Sequence, residues 1–426
     1  MKEKLSKLVN VYKKYGFRGF WRKLWAYFVA YYWDTLGLQV RFRPGKYRAL
    51  IETMLSGDYD RIILWRSSSG FQVPLFQRPQ HISRQLARGG SLVIYEVTSM
   101  TDALKTLKEQ EERLWLFNFK NAPLSRLLTQ ALVRVEKPKY VQIYSTNWEH
   151  SLGEITAYGE SGCGLIYEYI DHISPELSGT SMLPKNVSDK YDYAMTHEDV
   201  YVVVTAELLR RDAVAHRGSK RLAYSTNGVD YDFFQHFDAP YAFEAEFQAV
   251  LERGKPIVCY YGALAKWFDY ELVKKIAATG RYSVVLFGVK YDESFDEQLR
   301  EAEDVFFLGA RDYAVLKYYA READVLMIPF LINDITRSTS PVKIFEYMAL
   351  HKPIVTTDMN ECRQYKSVLI GHDHEEFLAQ LDRAMALRGD ADYLALLDCE
   401  ARENDWSMKA RAITDMLAQD ETGGTR

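Results

Sequence analysis

The chain has 426 residues, enough for two or three domains that each bury a core of their own. Its 54 Lys and Arg residues nearly balance 58 Asp and Glu residues, so a formal net charge of −4 provides no overall field that attracts nucleic acid. The four cysteines are far apart and form no Cys-x-x-Cys pair, which indicates neither a zinc site nor a disulfide framework and fits a reducing setting.

Residues 1–50 form the first predicted unit, a helical segment whose first 35 residues combine basic and aromatic side chains. The apolar run at residues 24–33 is about half as long as the roughly 20 residues that a membrane-spanning helix needs. No small-residue cleavage site of a secretory signal follows it. The composition predicts a helix that lies on a membrane surface, because Lys and Arg attract anionic lipids while Trp and Tyr favour the interface. A helix that packs on the protein or on a second copy is the alternative.

Residues 58–235 form the second predicted unit, in which buried strands alternate with helices. This order indicates βαβ units and therefore a parallel sheet. The predicted strands are residues 61–66, 92–97, 114–117, 141–145, 165–170, 201–205 and 221–224. Pro79 favours a helix start, and this helix is expected to direct Arg78, Gln80 and His81 toward the edge where open α/β sheets bind ligands. A histidine in a first helical turn can equally have a structural role.

Two carboxylates, Glu168 and Asp171, lie near the carboxyl end of the fifth predicted strand. A carboxylate at this edge can act as the general base that takes the proton of an incoming hydroxyl group. We rank Asp171 first and Glu168 second for this role. Asp171 can alternatively cap the helix that follows, since Asp is a favoured N-cap residue.

Residues 255–403 form the third predicted unit, preceded by a polar linker at residues 234–256. Strands that run into a glycine recur here, and the predicted strands are residues 256–261, 284–287, 305–308 and 325–329. The strand–glycine–helix junction at Gly262 can cradle a phosphate group, and Lys266 adds a positive charge beside it. A nicotinamide dehydrogenase is not indicated, because the Gly-x-Gly-x-x-Gly pattern of dinucleotide-binding folds is absent.

The most informative stretch is residues 338–357, which reads as a turn, a helix and a short strand. Ser340 is a favoured N-cap residue and Pro341 suits the first helical position, so we predict a helix from there to residue 350. Lys343 in the first turn opposes the helix dipole unless an anion joins it, and a phosphate bound by the free N–H groups would be such an anion. Lys343 can alternatively pair with Glu346 on the helix surface, which is worth only about 0.2–0.5 kcal/mol.

The string Ser-Pro-x-Lys-x-Phe-Glu-Tyr-Met-Ala-x-x-Lys-Pro-Ile-Val, which begins at Ser340, resembles the donor-site signature of GT-B glycosyltransferases. The resemblance is to the group 1-like bacterial enzymes that build surface polysaccharides, and it is continuous over residues 261–355. It implies that Lys343 contacts the donor diphosphate and that Glu346 contacts the ribose hydroxyls. It also implies that the donor base lies near Gly309.

The same resemblance implies the overall architecture. The Arg-Pro-Gln-His string at residues 78–81 would face the acceptor cleft, and an Asn-Gly-Val-Asp turn at residues 227–230 would end the N-terminal domain at that cleft. The implied fold class is α/β, with two Rossmann-like doubly wound domains facing across a cleft behind a basic amphipathic N-terminal segment. Residues 404–426 are the implied crossover helix back to the first domain, with a polar tail from residue 419 that is expected to be disordered.

The implied activity is transfer of a sugar from a nucleoside-diphosphate sugar to a glycan or lipid-linked acceptor in bacterial cell-surface polysaccharide biosynthesis. Fixed positive groups would neutralise the leaving diphosphate, so we expect no metal ion and no cofactor besides the donor substrate. The protein is expected to be cytoplasmic and peripheral at the inner face of the cell membrane through residues 1–35, and not to bind nucleic acid. The expected donor-site residues are Gly262, Lys266, Gly309, Arg337, Ser340, Lys343 and Glu346.

Two other functions fit the same sequence features. One is a nucleotide-sugar epimerase on the same fold, and the other is a non-catalytic nucleotide-binding subunit of a polysaccharide-assembly complex. For a transferase, Ser338 stands where retaining members of the fold carry a second glutamate, which favours inversion with Asp171 or Glu168 as an external base. His351 stands where the family has glycine, so any left-handed turn at the helix end must be made by a non-glycine residue.

Overall fold

The computed structural model of the protein describes residues 17–18, 21–22, 25, 36–73, 76–97, 102–173, 183–238 and 240–423. Most of residues 1–35, which carry the membrane-surface prediction, lie outside these described residues. Among the described helices, none is both long and apolar enough to pass through a lipid bilayer.

A mostly parallel sheet forms the centre of the first domain. Its strands are β1 (Arg61–Arg66), β2 (Ser91–Glu96), β3 (Leu107–Glu111), β4 (Leu114–Phe117), β5 (Lys139–Tyr144), β6 (Cys163–Tyr169), β7 (Tyr201–Val204) and β8 (Leu222–Tyr224). Their spatial order is β3-β4-β2-β1-β5-β6-β7-β8, and only β3 and β4 pair antiparallel. The chain changes direction between β1 and β5, and open α/β sheets bind ligands at the carboxyl ends of the strands beside such a point.

Helices cover both faces of this sheet, which explains why its central strands read as continuous apolar runs. They are α1 (Leu38–Phe42), α2 (Pro44–Leu55), α3 (Arg78–Arg88), α4 (Ala122–Leu132), α5 (Leu152–Thr156), α6 (Lys185–Thr196) and α7 (Glu207–Arg217). Val40 and Tyr47, from α1 and α2, are buried in the core of the domain. The domain therefore starts before residue 58, and α1 and α2 are not part of a separate N-terminal segment.

The sequence does not predict β3, and its position in the sheet explains why. It is an edge strand on which Leu107 is the buried residue and the remaining side chains are at least partly exposed. A strand with so little apolar content has no alternating pattern to detect.

A six-stranded parallel sheet forms the second domain. Its strands are β9 (Ile257–Tyr261), β10 (Ser283–Phe287), β11 (Val305–Phe307), β12 (Val325–Ile328), β13 (Ile354–Thr357) and β14 (Val368–Gly371), in the order β11-β10-β9-β12-β13-β14. The change of direction between β9 and β12 marks the ligand-binding edge of this domain. Both sheets are therefore doubly wound, as predicted.

The helices of the second domain include two that the sequence reading placed in or beside a linker. They are α8 (Tyr231–Gln235), α9 (Ala245–Glu252), α10 (Tyr270–Ala278), α11 (Phe295–Gln298), α12 (Tyr313–Arg321), α13 (Asp334–Arg337), α14 (Val342–Ala349), α15 (His374–Leu387) and α16 (Ala391–Glu403). Phe234 of α8 and Phe247 of α9 are buried in the second core. The linker prediction for residues 234–256 is wrong for these helices, because short helices with a narrow apolar face resemble a polar connection.

The last helix, α17 (Trp406–Gly423), returns to the first domain and packs on α3 and β8. Just before it, the N–H of Val229 donates to the Asn404 carbonyl (3.0 Å), and the N–H of Trp406 donates to the Val229 carbonyl (2.9 Å). These bonds form a short parallel bridge between Val229 and Asp405. The two chain crossings between the domains therefore lie side by side.

The end of α17 contradicts the predicted disordered tail as far as residue 423, while residues 424–426 lie outside the described part. Arg61 donates two hydrogen bonds to the Glu421 carboxylate (2.9 and 2.8 Å), and the Tyr140 hydroxyl donates a third (3.0 Å). The Tyr201 hydroxyl donates to Asp420 (2.8 Å). These partners are more than 200 residues away in sequence, so local polarity gave no sign of them.

Replacing Glu421 with Ala leaves the Arg61 guanidinium, which is 6% exposed, without its carboxylate partner. We expect the free energy of unfolding of the first domain to fall by about 2–3 kcal/mol, because an unpaired buried charge is left behind. Urea unfolding measures this loss. The control is Asp415→Ala on the same helix, where the pair with Arg411 is exposed on both sides and is worth under about 1 kcal/mol. Equal losses in the two variants would contradict the prediction.

Candidate active site at the domain interface

The first turn of α14 lies at the contact between the domains. The helix begins at Val342, with Pro341 in the N-cap position and no capping side chain. The Ser340 hydroxyl accepts a hydrogen bond from the N–H of Asn227 (3.3 Å), and the Ser340 carbonyl accepts one from Asn227 Nδ2 (2.6 Å). The predicted N-cap role of Ser340 is therefore wrong, since the residue joins the two domains. The first-turn N–H groups, which no side chain caps, can receive an anion.

Lys343 lies directly over Gly262 at the carboxyl end of β9. Gly262 has φ of 147°, and a side chain there would collide with Lys343 Cε and Nζ. Gly288 repeats the same φ at the end of β10, and a side chain there would collide with the Gly262 carbonyl. Two adjacent strand ends thus depend on glycine, which lets the Lys343 side chain approach the backbone at the point where the strand order changes direction.

Lys343 and Glu346 do not form the surface ion pair that was the alternative reading. No ion pair joins Lys343 to any carboxylate of the described residues. Burial lowers the pKa of the Lys343 ammonium and raises the pKa of the Glu346 carboxyl to about 7, although each charge favours the other. Glu346 is buried at 6% exposure and Lys343 is partly exposed, and no ion pair among the described residues neutralises either charge, an arrangement that is costly unless a ligand does so.

One glycine, Gly309, and two exposed cations complete the predicted donor set. Gly309 has φ of 74° beside β11, and its carbonyl accepts a hydrogen bond from the N–H of Gly288 (3.0 Å). Lys266 is exposed on the loop that follows β9, and Arg337 is exposed at the end of α13. The structure thus brings Gly262, Lys343 and Glu346 together, and Gly309 joins them through Gly288.

Arg78 and Glu168 form a buried pair with each other. The Arg78 guanidinium donates to Glu168 Oε2 (2.7 Å), to the Thr226 carbonyl (2.8 Å) and to the Ser225 hydroxyl (3.1 Å). Glu168 is fully buried, and its other oxygen accepts a hydrogen bond from Gln142. The prediction that Arg78 faces the rim is wrong, because a charge this deep in the domain needs an internal partner. Full occupation of both oxygens also argues against Glu168 as the general base.

Gln80 is likewise internal, which corrects its predicted place at the acceptor rim. Its Oε1 accepts a hydrogen bond from the N–H of Gln77, in a reciprocal capping arrangement at the start of α3. Its Nε2 donates to the Gly70 carbonyl (2.7 Å) and fixes the loop that follows β1. The residue therefore shapes the edge of the sheet without being exposed on it.

His81 lies at the junction of the two domains. Its ring stacks on Trp406 with centroids 5.0 Å apart and meets the edge of Tyr313 from α12 at 6.2 Å. Burial and the nearby Arg84 lower the pKa of His81 to about 3, so the ring is neutral at physiological pH. Its nitrogens have no hydrogen-bond partner among the described residues, which leaves them available to a ligand.

Asp171 follows β6 and is partly exposed. Burial raises the pKa of its carboxyl to about 7, and it has no hydrogen-bond partner among the described residues. The preceding residue, Ile170, is fixed because its N–H donates to the Ser145 hydroxyl (3.2 Å). A carboxylate with a pKa near neutrality is suited to accept a proton during a reaction.

Glu361 is a domain-joining residue that the sequence analysis missed. It lies in a short 3₁₀ helix (Asn360–Gln364) of the second domain and is 1% exposed. It accepts hydrogen bonds from the N–H of Glu207 (2.8 Å) and from the Tyr224 hydroxyl (3.1 Å), both in the first domain. Glu207 is the first residue of α7, so the Glu361 carboxylate of the second domain caps a helix of the first domain. Nothing in its local sequence distinguishes it from a surface glutamate.

Among the described residues, no group of three or more His, Cys, Asp and Glu side chains is arranged to hold a metal ion. The described cysteines are all free thiols, with Cys163, Cys259 and Cys362 buried and Cys399 exposed.

Comparison with known proteins identifies the second domain. Residues 255–386 match the family model described as Glycosyl transferases group 1. This match lies within the second domain and covers less than half of the chain. A Bacillus subtilis (strain 168) protein named as a teichuronic acid biosynthesis glycosyltransferase, TuaH, is 24% identical over 206 residues, or 46% of this chain. That match spans 50% of the length of the curated relative.

Solved structures resemble the chain over both domains. Sucrose-phosphate synthase (tll1590) from Thermosynechococcus elongatus superposes with a TM-score of 0.60 at 14% identity, over 85% of this chain and 100% of that one. Anabaena Alr3699/HepE in complex with UDP superposes with a TM-score of 0.60 at 15% identity, over 84% and 100% of the two chains. These similarities confirm the predicted GT-B fold.

Proposed function

We propose that the protein transfers a sugar from a nucleoside-diphosphate sugar to a glycan or lipid-linked acceptor in the biosynthesis of bacterial cell-surface polysaccharide. The observation that carries this proposal is Lys343, a partly buried ammonium without an ion-pair partner among the described residues, at the uncapped start of α14 in the domain that matches the group 1 glycosyltransferase family. A relative named for teichuronic acid biosynthesis and a structural neighbour that holds UDP support the donor and the pathway.

The proposed chemistry follows from where negative charge develops. When the bond to the anomeric carbon breaks, charge grows on the leaving diphosphate. Lys343 and the free N–H groups at the start of α14 are fixed in place to neutralise it, without reorganisation during the reaction. In this proposal these groups supply the positive charge that a metal ion supplies elsewhere, and Glu346 accepts hydrogen bonds from the donor ribose.

Lys343→Ala should weaken UDP binding about 10- to 100-fold, because a charge-assisted contact to phosphate is worth roughly 1.5–3 kcal/mol. Isothermal calorimetry with UDP measures the change. Lys274→Ala is the matched control, because this lysine pairs with Glu271 on the exposed face of α10. Unchanged affinity in Lys343→Ala would remove Lys343 from the donor site.

For the acceptor, we propose that Asp171 takes the proton of the attacking hydroxyl, which implies inversion at the anomeric carbon. Its carboxyl stands at the carboxyl edge of the first sheet, and burial keeps its pKa near neutrality. Glu168 is not proposed for this step, because its oxygens are already paired with Arg78 and Gln142.

The raised pKa of Asp171 gives the reaction a predicted pH dependence. The base acts only when deprotonated, so kcat/KM should rise as the pH increases through about 7 and be lost below that value. Asp171→Asn should lower kcat by about 100-fold or more and abolish this limb of the profile. A pH series of UDP release tests both points, with Asp415→Asn on the exposed surface of α17 as control. A normal rate in Asp171→Asn would refute the assignment.

We further propose that residues 1–35 hold the protein at the inner face of the cell membrane, next to a lipid-linked acceptor. The described residues of this segment are helical, and Phe17, Trp21 and Trp25 are spaced four apart on one helix face. Their side chains are 65%, 52% and 67% exposed. Exposed aromatics on one face, with basic residues nearby, suit a helix that lies in the interface of an anionic bilayer.

Deletion of residues 1–35 should release the protein from vesicles that contain phosphatidylglycerol, because both the aromatic face and the basic charges are lost. Co-sedimentation with the vesicles measures binding. Replacing Phe42, which is 79% exposed on α1, with Ala is the control for a general loss of exposed apolar surface. Retained binding by the deletion variant would refute the membrane role.

A further inference from the structure

Trp148 is a large aromatic side chain held out in solvent at the ligand-binding edge of the first domain. Its side chain is 61% exposed, and it stands on the loop between the end of β5 and the start of α5. This loop leaves the carboxyl end of the strand next to the point where the sheet changes direction, which is where α/β domains place binding residues.

The backbone on either side of Trp148 is fixed by buried polar groups. Asn147, 1% exposed, accepts hydrogen bonds from the N–H groups of Glu149 and His150, both at 3.1 Å. The Trp148 carbonyl accepts one from Asn186 Nδ2 (3.0 Å). A flexible loop could fold such an indole onto the protein surface, whereas this one keeps it in water.

A second layer of buried groups holds this turn in place. The His150 carbonyl accepts a hydrogen bond from Nζ of Lys190 (2.6 Å), which is 2% exposed. The His150 ring lies between Asn147 Oδ1 (3.0 Å) and the buried Glu96 carboxylate (3.1 Å). Two of these anchors, Lys190 and Glu96, come from other elements of the domain, so the position of Trp148 is determined by the whole sheet edge.

The same loop is bonded to the segment that carries Asp171. The N–H of Ser145 donates to the Glu168 carbonyl (2.7 Å), and the Ser145 hydroxyl accepts from the N–H of Ile170 (3.2 Å). Trp148 stands three residues after Ser145, and Asp171 follows Ile170 directly. The exposed indole and the proposed base therefore belong to adjoining loops at one edge of the sheet.

The surroundings of Trp148 are polar and carry both signs of charge. Glu149 pairs with Lys120 (3.5 Å), and Lys185 pairs with Asp189 (2.7 Å) next to Asn186. A membrane-contacting patch combines several apolar side chains with an excess of basic ones, and the described residues around Trp148 show neither feature. The flat indole of Trp148, bordered by these polar side chains, is complementary to a pyranose, which presents an apolar C–H face bordered by hydroxyl groups.

We infer that Trp148 is a stacking platform for a pyranose ring of the acceptor glycan. The assignment of that sugar to the acceptor rests on the proposed function, whereas the binding of a sugar by Trp148 does not. The indole would pack on the C–H face of the ring, and the surrounding amide and charged groups would bond its hydroxyls. Trp148 would thus orient the acceptor beside Asp171 without taking part in the proton transfer.

The test measures sugar binding without donor, on the full chain labelled with ¹⁵N-tryptophan. The probes are the methyl pyranosides of glucose, galactose, N-acetylglucosamine and glucuronic acid. Loss of one indole N–H signal in Trp148→Phe assigns the Trp148 resonance. We expect this signal to shift saturably with at least one probe, and saturation transfer to that sugar to fall about tenfold in Trp148→Ala. Trp148→Phe should retain part of the saturation transfer to the sugar, and Phe42→Ala should retain all of it.

No shift with any probe, or equal saturation transfer in Trp148→Ala and in the wild type, would overturn the inference. A shift produced by phosphatidylglycerol vesicles alone would overturn it in favour of membrane contact. Failure of the proposed function is seen separately, as absence of UDP release with any sugar donor and acceptor. Where turnover occurs, Trp148→Ala should raise the acceptor KM about tenfold and leave the affinity for UDP unchanged.

Discussion

The buried pair of Arg78 and Glu168 is the interaction on which the geometry of the cleft depends. Glu168 fixes the guanidinium inside the first domain, and the remaining donors of Arg78 bond the Thr226 carbonyl and the Ser225 hydroxyl. The next residue, Asn227, is bonded to Ser340 at the start of the Lys343 helix. One ion pair in the first domain is thus linked to the uncapped end of a helix in the second. Loss of either charge would leave the other uncompensated in the interior.

Much of the architecture could be predicted from the sequence because it depends on patterns within short windows. Buried strands alternating with helices predicted the first parallel sheet, and apolar runs that end in glycine predicted the second. The stretch around Lys343 predicted the helix and the strand that follow β12. His351 also adopts the expected left-handed turn, with φ of 53°, in place of a glycine. In each case the residues that form the sequence pattern lie within about 20 residues of the element that the pattern predicts.

Most of the errors concern residues whose partners are distant in sequence. Arg78 was expected at the rim because its helix starts at the ligand-binding edge of the sheet, but it bonds Glu168 and Thr226, 90 and 148 residues away. Gln80 was expected there for the same reason, but it bonds the nearby buried backbone at Gln77 and Gly70. Glu361 and Glu421 looked like ordinary surface acids, and both complete hydrogen-bond networks of another domain or helix. Hydrogen-bond partners of this kind depend on the tertiary fold, which local polarity does not report.

Burial shifts the ionisable groups of the cleft toward their neutral forms. The pKa of Lys343 is lowered, those of Glu346 and Asp171 are raised to about 7, and His81 is uncharged. In the proposed reaction the donor diphosphate would favour the charged form of Lys343, and the acceptor hydroxyl would meet a base poised near physiological pH. The electrostatics of these groups and the proposed chemistry are therefore consistent with each other.

The paired chain crossings at Val229 and Asp405 limit how the two domains can move. Two separate connections would act as independent tethers, but here hydrogen bonds join them at a single point. The beginning of α17 is thereby fixed to the outgoing chain, while its end is tied to the first domain through Glu421. Any rotation of one domain against the other would therefore pivot close to this bridge, and it would have to break the hydrogen bonds that Glu361 and Ser340 make across the interface.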